Sequence, residues 1–461
     1  MAERSVHHRR LPLVLPADRL FRRLLGDAPD AFWLDSSLVA DGLSRFSFMG
    51  RLGPTLPPPG ADADRWLDGV RRALQACQAR ADALPFDFIG GYVGYLGYAL
   101  RPEPLPAAPH PPDARLCFVE RFVAIDHLTD SLYLVGLETD AGGAAFAGWA
   151  DAVMARLDEP APPPPSPNAR GATVAFTLRH DRSAYLALIE QALDHIAAGD
   201  SYELCLTNRI HTPARVDPLH LHEVLRRRNP APWGAFLRMG DVAIASASPE
   251  SFLRVTRDGR VRAKPIKGTF ARGATPAEDR ALAERLRASD KERAENLMIV
   301  DLLRNDLARV STPGSVHVPS LMAVESYATV HQLVSTVEGR LAAGRDALDA
   351  VAAAFPGGSM TGAPKARSLA ILDGLEGGPR GIYSGAIGYL SANGCADLNI
   401  VIRTVVQDEG GLSIGVGGAI VAQSDPEAEF AETLLKGRAA MAAIAEAATG
   451  DPDCWSLSGA D

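Results

Sequence analysis

The stretch GAIGYLSANGCADLNIVIRTVVQDEGGLSIGVGGAIVAQ, residues 385–423, decides the fold class of this chain. Its three apolar runs are separated by NG and GG turn signals, which predicts a three-stranded meander. Earlier in the chain, a DG turn at 258–259 joins two more strand-like runs, another strong hairpin signal. Strands joined by hairpins and interspersed with helices, without a strict alternation of strand and helix, predict an α+β fold.

The composition is that of an ordinary globular protein. The chain has 461 residues, of which 47% are hydrophobic and 22% charged, which is enough for two domains or one large one. No apolar run approaches the roughly 20 residues of a membrane helix. The brief apolar piece near the start of the chain is too short and too broken by proline to be the hydrophobic region of a signal peptide, so we expect a cytoplasmic protein.

The charge balance limits the possible ligands. The formal net charge is −9, and no tract of Lys and Arg is interleaved with aromatic residues. These features argue against nucleic-acid binding. An anionic substrate would need a local basic pocket or a bound cation, because the protein as a whole repels it.

A proline-rich run, EPAPPPPSPNARGA at 159–172, divides the chain. Such a run favours polyproline II and cannot build a hydrophobic core. It therefore predicts a linker between an N-terminal region, 1–158, and a second region, 173–450.

Lys267 stands in KPIKGTF, residues 264–270. If a strand runs over 261–267, alternation places Lys267 on the same face as Val261 and Ala263, which turns the lysine inward. A buried lysine loses its proton more readily, and the free amine is a nucleophile. The alternative is an exposed lysine beside a turn.

Two predicted helices carry glutamates three residues apart, and capping signals at Ser289 and Asp425 mark where the helices start. The pairs are Glu292 and Glu295 on helix 289–310, and Glu429 and Glu432 on helix 425–450. This spacing puts both side chains of a pair on one helical face, and two opposed faces could hold Mg²⁺. Alternatively the pairs are solvated, and Glu292 serves only the helix cap.

An arginine and a glycine-rich run are candidates for an anion site. Arg403 lies in the apolar run LNIVIRT, where it needs an anionic partner, either a structural carboxylate or a substrate. In GVGGAI, 415–420, glycine lets backbone N–H groups turn toward an anion. His331, also in an apolar run, is either a hydrogen-bonded core histidine or a catalyst.

Eight motifs, taken in order, resemble those of the chorismate-utilising enzymes. They are ASASPESFL, KPIKGTF, AENLMIVDLLRNDLARV, VHQLVSTVEG, FPGGSMTGAPK, RGIYSGAIGYL, LNIVIRT and SDPEAEFAETLLKGRAA. The resemblance implies an α+β fold like that of anthranilate synthase component I, with large mixed or antiparallel sheets packed face to face and helices outside. Residues 173–450 would then form the chorismate-binding catalytic region, and 1–158 the family's N-terminal region.

Lys267 distinguishes between members of this family. Aminodeoxychorismate synthases read PIKGT at this position, as this chain does, whereas anthranilate synthases read PIAGT. Isochorismate synthases use a lysine base at the position that aligns with Glu203, and an acidic residue there argues against activation of water in their manner. The chain therefore resembles component I of aminodeoxychorismate synthase.

This resemblance implies that chorismate and ammonia are converted to 4-amino-4-deoxychorismate, for 4-aminobenzoate and folate biosynthesis. Lys267 would add to C2 of the ring as the C4 hydroxyl leaves, and ammonia would then attack C4 and expel the lysine. Glu250 would protonate the departing hydroxyl, and His331 would lie near it. The alternatives are anthranilate synthase component I and a catalytically silent chorismate-binding subunit.

The resemblance also implies a cofactor and a set of binding residues. Mg²⁺ would be held by Glu295 and Glu432, with Glu292 and Glu429 nearby through water. The implied chorismate-binding residues are Gly268, Thr269, Ser359, Tyr383, Arg403, Gly417, Gly418, Ala419 and Lys436.

Two further expectations concern other ligands. No cysteine lies in the G-x-C-x-G context of a glutaminase nucleophile, so we expect a separate glutamine amidotransferase subunit to supply ammonia. The family's N-terminal region can also bind tryptophan, which here would be structural, inhibitory or absent. The positions for tryptophan are Ser36, Leu43, Ser44, Arg45 and Phe46.

Overall fold

The computed structural model describes residues 4–39, 44–59, 62–81, 83–100, 114–139, 143–160, 162–163, 165, 171–327 and 330–461. The α-helices are α1 Ala17–Leu25, α2 Ala63–Ala76, α3 Ala144–Leu157, α4 Arg182–Ala197, α5 Pro218–Arg228, α6 Pro276–Arg287, α7 Asp290–Ala308, α8 Ala347–Ala354, α9 Lys365–Leu375 and α10 Pro426–Thr449. The strands are β1 Ser5–Pro12, β2 Asp30–Asp35, β3 Phe46–Arg51, β4 Gly91–Leu96, β5 Ala114–Val119, β6 Arg121–Asp126, β7 Ser131–Glu138, β8 Val174–Leu178, β9 Glu203–Thr212, β10 Trp233–Met239, β11 Val242–Ser248, β12 Ser251–Val255, β13 Arg260–Lys264, β14 Ile266–Ala271, β15 His317–Ser326, β16 Val330–Arg340, β17 Gly362–Ala363, β18 Ala386–Ser391, β19 Ala396–Ile400, β20 Thr404–Asp408, β21 Gly411–Ile420 and β22 Trp455–Ser458. A 3₁₀ turn covers Gly358–Met360.

The described strands form two large sheets. The larger sheet has the order β1-β7-β6-β3-β2-β10-β11-β20-β21-β9-β8-β22, with β17 also paired to β9. The smaller has the order β14-β16-β13-β12-β19-β18-β4-β5, with β15 also paired to β16. Neighbouring strands in the described residues run antiparallel, apart from the parallel pair β8 and β22. The predicted α+β fold with large mixed or antiparallel sheets is confirmed.

Aromatic side chains from both sheets meet in a shared core. Phe48 and Phe122 come from the larger sheet, while Tyr389 comes from β18 of the smaller sheet and Phe88 lies three residues before the start of β4. The rings of Phe88 and Phe122 lie 4.6 Å apart, and those of Phe88 and Tyr389 lie 4.8 Å apart. Burying these large apolar rings between the sheets contributes strongly to the hydrophobic stabilisation of the fold.

Both parts of the chain contribute strands to both sheets. In the larger sheet β2 pairs with β10, and in the smaller sheet β4 pairs with β18. Of the predicted linker, residues 161, 164 and 166–170 lie outside the described residues. The division into 1–158 and 173–450 remains a prediction, and the two sheets extend across it.

The predicted three-stranded meander at 385–423 is wrong. The stretch forms four strands, of which β18 pairs with β19 in the smaller sheet and β20 pairs with β21 in the larger sheet. The chain crosses between the sheets at 401–403, where Arg403 has a φ of 53°. The apolar run LNIVIRTVV is continuous, so its pattern does not reveal that one strand has ended and another has begun.

The two glutamate-bearing helices were predicted correctly. The side chain of Ser289 accepts a hydrogen bond from the backbone N–H of Glu292 at the start of α7. Asp425 caps α10 in the same way, and Gly450 ends it in the left-handed conformation. Helix α7 packs on β16 and α10 on β21, so each lies against a different sheet. In the described part of the chain, no helix is long and apolar enough to cross a membrane.

Candidate active site

Lys267 points into the interior, as strand alternation predicted. Val261, Ala263 and Lys267 are all buried, whereas Arg262 and Lys264 are only partly buried. Lys267 lies on β14 opposite Leu333 of β16. The exposed-lysine alternative is therefore excluded.

The expected neutral amine is not what the structure shows. The Nζ atom of Lys267 lies 2.6 Å from Glu203 Oε1 and 3.7 Å from Glu295 Oε2. Burial lowers the pKa of Lys267, but the carboxylates of Glu203 and Glu295 raise it by more, so the net pKa lies above its usual value. The side chain is therefore a buried ammonium, and a proton must leave before it can act as a nucleophile.

Glu250 forms a second buried acidic position. It lies between β11 and β12, and its Oε1 atom accepts a hydrogen bond of 2.8 Å from Ser359 Oγ. Burial raises the pKa of Glu250 from 4.5 to about 7, with Ser359 and Lys267 opposing the rise. Such a carboxyl group can carry or release a proton near neutral pH.

The four predicted metal-binding glutamates lie on facing parts of α7 and α10. Lys291 joins the helices, because its Nζ atom donates to Glu429 Oε1 at 2.9 Å and lies 3.9 Å from Glu295 Oε1. The Nζ atom of Lys436 lies 2.7 Å from Glu432 Oε1. Burial raises the pKa of both Glu292 and Glu295, the latter to about 7.

These carboxylates fit a hard cation in their chemistry. In the described residues, no group of three or more His, Cys, Asp and Glu side chains already surrounds a common metal position. Lysine ammonium groups are the positive partners of Glu295, Glu429 and Glu432 here. The raised pKa values of Glu292 and Glu295 reflect burial and neighbouring carboxylates, a setting that favours a bound cation. Glu432 differs, because its side chain is 48% exposed and, although burial raises its pKa, Lys436 and the other nearby lysines lower it by more.

Arg403 has a guanidinium that is available to an anion. Among the described residues, no hydrogen bond or ion pair engages its side chain. Burial lowers the pKa of Arg403, with Tyr383 and Glu432 acting in the opposite direction. The Tyr383 ring lies against Gly415, where a Cβ atom would come within 2.0 Å of the ring. No carboxylate in the described part of the chain forms a hydrogen bond or ion pair with Arg403, so the alternative that a structural carboxylate is its partner is not supported.

The glycine-rich strand β21 lies beside α10. The Nζ atom of Lys436 donates to the carbonyl oxygen of Gly417 at 2.9 Å. Gly418 lies next to the carboxylate of Glu429, and Ala419 is paired with Cys205 of β9. The structure therefore brings the predicted anion-binding strand to the same helix that carries Glu429 and Glu432.

Gly268 and Thr269 follow Lys267 on β14. Gly268 has a φ of 79°, and a Cβ atom there would lie 2.8 Å from Glu292 Oε2, so glycine permits the carboxylate to approach the strand. The hydroxyl of Thr269 accepts a hydrogen bond from Gln332 at 3.4 Å. These residues connect the lysine strand to α7.

His331 is engaged outside this cluster. One ring nitrogen lies 2.7 Å from Ser326 Oγ, and the other lies 2.9 Å from Asp279 Oδ1. Asp279 lies on α6, and its carboxylate also forms an ion pair with the guanidinium of Arg272. With both nitrogens occupied, the geometry is that of a hydrogen-bonded core histidine, and a catalytic role for His331 stays a prediction.

The predicted tryptophan positions line a separate cavity of about 420 Å³. Ser36, Ser44, Arg45 and Phe46 all contribute to its wall, while Leu43 lies outside the described residues. The rest of the wall includes the aromatic side chains of Phe48, Phe86, Trp233 and Tyr389 and the charged side chains of Asp35, Asp87, Arg254 and Asp397.

Comparison with known proteins identifies the family. Residues 53–442 match the chorismate binding enzyme family. The chain belongs to this family. The resemblance found in the sequence motifs is thereby confirmed, and the cluster around Lys267 is the candidate active site of a chorismate-binding enzyme.

Two relatives are named aminodeoxychorismate synthase. The one from Streptomyces griseus is 48% identical over 91% of this chain and 61% of its own length. The one from Streptomyces pristinaespiralis is 45% identical over 98% of this chain and 66% of its own length. The chain thus spans less than two thirds of the length of these curated relatives.

A solved relative agrees with the fold of the chorismate-binding enzymes. The structure of anthranilate synthase component I from Streptococcus pneumoniae has a TM-score of 0.73 and is 28% identical in sequence. The match covers 94% of this chain and 99% of that one. The anthranilate synthase-like architecture expected from the motifs is confirmed.

Sequence reasoning missed several residues of the site. Lys291 joins α7 to α10, but its exposed-looking position in a charged helix start gave no sign of this. Arg380 and Glu376 form a buried ion pair behind the site, and their i, i+4 spacing was the available signal. Glu203 was noted only as an acidic residue at an aligned position, not as the partner of Lys267.

Proposed function

We propose that the chain converts chorismate and ammonia to 4-amino-4-deoxychorismate, in the biosynthesis of 4-aminobenzoate and folate. The observation that carries this proposal is the buried Lys267, held between Glu203 and Glu295 at distances of 2.6 and 3.7 Å. An interior lysine beside a proton acceptor suits nucleophilic catalysis. The similarity to proteins named aminodeoxychorismate synthase supports the same reaction.

The reaction begins with a proton transfer and an addition to the ring. Glu203 accepts a proton from Lys267, and the free amine attacks C2 of chorismate. The ring double bonds shift, and the C4 hydroxyl leaves as water with the proton of Glu250. Ammonia then attacks C4, the double bonds shift back, and Lys267 departs from C2. The proton lost by ammonia returns to Glu250, and Glu203 returns its proton to the freed amine of Lys267. The net change is replacement of hydroxyl by amine with release of water.

Three features support binding of the two carboxylates of chorismate. Arg403 offers a partly buried guanidinium near Tyr383, and Lys436 lies beside the strand that contains Gly417, Gly418 and Ala419. Gly268, Thr269 and Ser359 stand around the lysine and Glu250. Arg403 and Lys436 offer local positive charge to an anion in a protein that is acidic as a whole.

Mg²⁺ would be held by Glu295 and Glu432, with Glu292 and Glu429 behind them. The cation would neutralise a substrate carboxylate and favour departure of the hydroxyl. The chain's own contribution is to keep four carboxylates on two facing helices, with Lys291 and Lys436 offsetting part of their charge.

Ammonia would come from a separate glutamine amidotransferase, in the cytoplasm. Leu297 on α7 and Leu435 on α10 are exposed over 52% and 65% of their surface. These helices also carry the cation-binding glutamates, so a partner that covers the leucines would sit beside the site. Exposed large apolar residues of this kind often mark docking surfaces.

The aromatic cavity would bind tryptophan. Ser36, Ser44, Arg45 and Phe46 line it together with further aromatic rings. The Oδ1 atom of Asp397 is buried and lacks a hydrogen-bond partner within the described residues, so an α-ammonium group could satisfy it. Isothermal titration calorimetry with tryptophan, on the wild type and on the variant Asp397→Asn, tests this binding. The absence of binding heat with the wild type would refute it.

The experiment that tests the proposed reaction uses chorismate, Mg²⁺ and an ammonium salt. The expected product gives 4-aminobenzoate only after an aminodeoxychorismate lyase is added. Direct appearance of fluorescent anthranilate would replace the proposal with anthranilate synthase. Bound chorismate without turnover at high ammonium would indicate a catalytically silent subunit.

A further inference from the structure

Arg380 is a buried guanidinium to which the reaction above assigns no role. It follows α9 in the motif RGIYSGAIGYL, and its side chain is only 2% exposed. The Nε and Nη2 atoms donate to the two carboxylate oxygens of Glu376, at 2.8 and 2.6 Å. The ring of Tyr98 covers the guanidinium at 4.2 Å. This is an ion pair buried in the interior of the protein.

The remaining N–H groups of Arg380 reach three segments of the chain. Nη2 donates to the carbonyl oxygen of Cys205 at 2.8 Å, and Nη1 donates to that of Met360 at 2.6 Å. Nη1 also donates to Ser384 Oγ at 3.2 Å. One planar group therefore ties together β9, the 3₁₀ turn and the loop before β18.

Each of these segments carries a residue of the candidate site within two residues of the tied one. Glu203 is two residues before Cys205, Ser359 immediately precedes Met360, and Tyr383 immediately precedes Ser384. Glu376 strengthens the tie on β9, because its Oε1 atom also accepts from the backbone N–H and the hydroxyl of Thr207, at 2.9 and 2.8 Å.

We propose that Arg380 is a positioning residue that sets the relative placement of Glu203, Ser359 and Tyr383 for the reaction of Lys267. The role rests on the proposed function. A guanidinium suits it because its donors lie in one rigid plane, whereas a lysine ammonium is a point charge on a flexible stem. Releasing the tie would leave the site residues present but displaced from one another.

The most sensitive consequence concerns Ser359 and Glu250. Arg380 holds the carbonyl of Met360, and the adjacent Ser359 donates to Glu250 Oε1 at 2.8 Å. That hydrogen bond lowers the pKa of Glu250 against the stronger effect of burial. If the turn moves, the hydrogen bond lengthens and the pKa of Glu250 rises further.

The test is the variant Arg380→Lys, with Arg22→Lys as a matched control. Arg22 also makes a two-bond pair with a carboxylate, that of Glu223, but it lies on α1 outside the site. We expect Arg380→Lys to reduce kcat by about 10²-fold, the loss typical of a displacement near 1 Å. The limb of the pH profile that reports Glu250 should move to higher pH, and Arg22→Lys should change neither quantity.

A purely structural role predicts a different result. Arg380→Lys would then melt at a lower temperature but keep the wild-type kcat and pH profile well below its melting point, and this outcome overturns the proposal. If Arg380→Lys does not fold by circular dichroism, Glu376→Gln takes its place, because it retains the arginine and the acceptor for Thr207 while removing the charge that orients the guanidinium.

A crystal structure of the variant separates this proposal from the proposed function. The distance from Ser359 Oγ to Glu250 Oε1 should lengthen beyond hydrogen-bond range in Arg380→Lys, whichever product the enzyme makes. An unchanged distance refutes the positioning role. If the wild type yields no 4-amino-4-deoxychorismate, the proposed function fails, while this distance still decides the role of Arg380.

Discussion

Two largely buried lysines in this protein have pKa values that are shifted in opposite directions. Lys267 lies near two carboxylates, those of Glu203 and Glu295, and its pKa is raised. Lys365, at the start of α9, contacts one carboxylate, that of Asp306, at 2.7 Å and one carbonyl oxygen at 2.8 Å. Burial lowers its pKa, and Asp306 offsets only part of the effect.

The comparison shows that burial alone does not make a lysine a nucleophile. Lys365 and Asp306 form a balanced pair that joins α9 to α7, which suits a structural role. Around Lys267 the carboxylates outnumber the lysine, so the position has a proton acceptor at hand and an excess of negative charge nearby. The surroundings of Lys267, and not its burial, indicate chemistry.

The largest expected effect comes from removing the nucleophile. Lys267→Ala should abolish the covalent adduct and reduce turnover by at least about 10³-fold, because the variant lacks the amine that attacks C2. Intact-mass measurement after incubation with chorismate and Mg²⁺, without ammonia, detects the adduct in the wild type. An adduct that persists in Lys267→Ala would assign the nucleophile to another residue.

The structural lysine should behave in the opposite way. Lys365→Met leaves Asp306, whose side chain is 4% exposed, as an unpaired buried charge. We expect the free energy of unfolding to fall by roughly 3–5 kcal/mol, measured by urea denaturation, while folded molecules still form the Lys267 adduct. Lys264→Met, which breaks the more exposed pair with Glu325, is the control and should cost about 1 kcal/mol or less. Equal losses of unfolding free energy in Lys365→Met and Lys264→Met would contradict the structural role of Lys365.

The buried carboxyl group of Glu250 should make the stability of the protein depend on pH. Its pKa is about 7 in the folded protein against an ordinary value of 4.5, so its neutral form is favoured by folding. The resulting stability is fully present below pH 4.5 and is lost as the pH rises through about 7. The unfolding free energy of the wild type, measured relative to that of Glu250→Gln, should therefore fall by about 3 kcal/mol as the pH rises over this range. The exposed Glu284→Gln should show no such change. If the unfolding free energy of the wild type relative to Glu250→Gln does not vary with pH, the raised pKa is refuted.

The smallest effect tests the proton acceptor of Lys267. Glu203→Gln keeps the size of the side chain but removes its charge, so the lysine is left with the more distant Glu295. We expect adduct formation to slow by about 10²-fold, the lower range for loss of a general base, in a rapid-quench mass measurement. Glu325→Gln, the equivalent change at the partner of Lys264, should have no effect. Wild-type rates in Glu203→Gln would show that another group takes the proton.

Much of the site could be predicted from short stretches of sequence. Strand alternation predicted the burial of Lys267, and capping residues placed both ends of α10. The spacing of Glu292 and Glu295, and of Glu429 and Glu432, placed each pair on one helical face. These features are local, because the backbone geometry of a strand or helix relates residues only a few positions apart.

Partners that are distant in the chain could not be predicted in this way. The change of sheet at Arg403 is hidden in a continuous apolar run, and His331 meets Asp279 from a different helix. The family resemblance implied which residues lie near chorismate, but Lys291 and Arg380 were not among them. Each of these contacts depends on how separate elements pack.

By itself, the sequence determined the α+β class, the family and the inward direction of Lys267, because periodicity and motifs are properties of neighbouring residues. Only the tertiary structure decided that this lysine is a charged partner of Glu203, 64 positions away. The charge state of a buried group depends on which other charges packing brings within a few ångströms, and no local pattern contains that information.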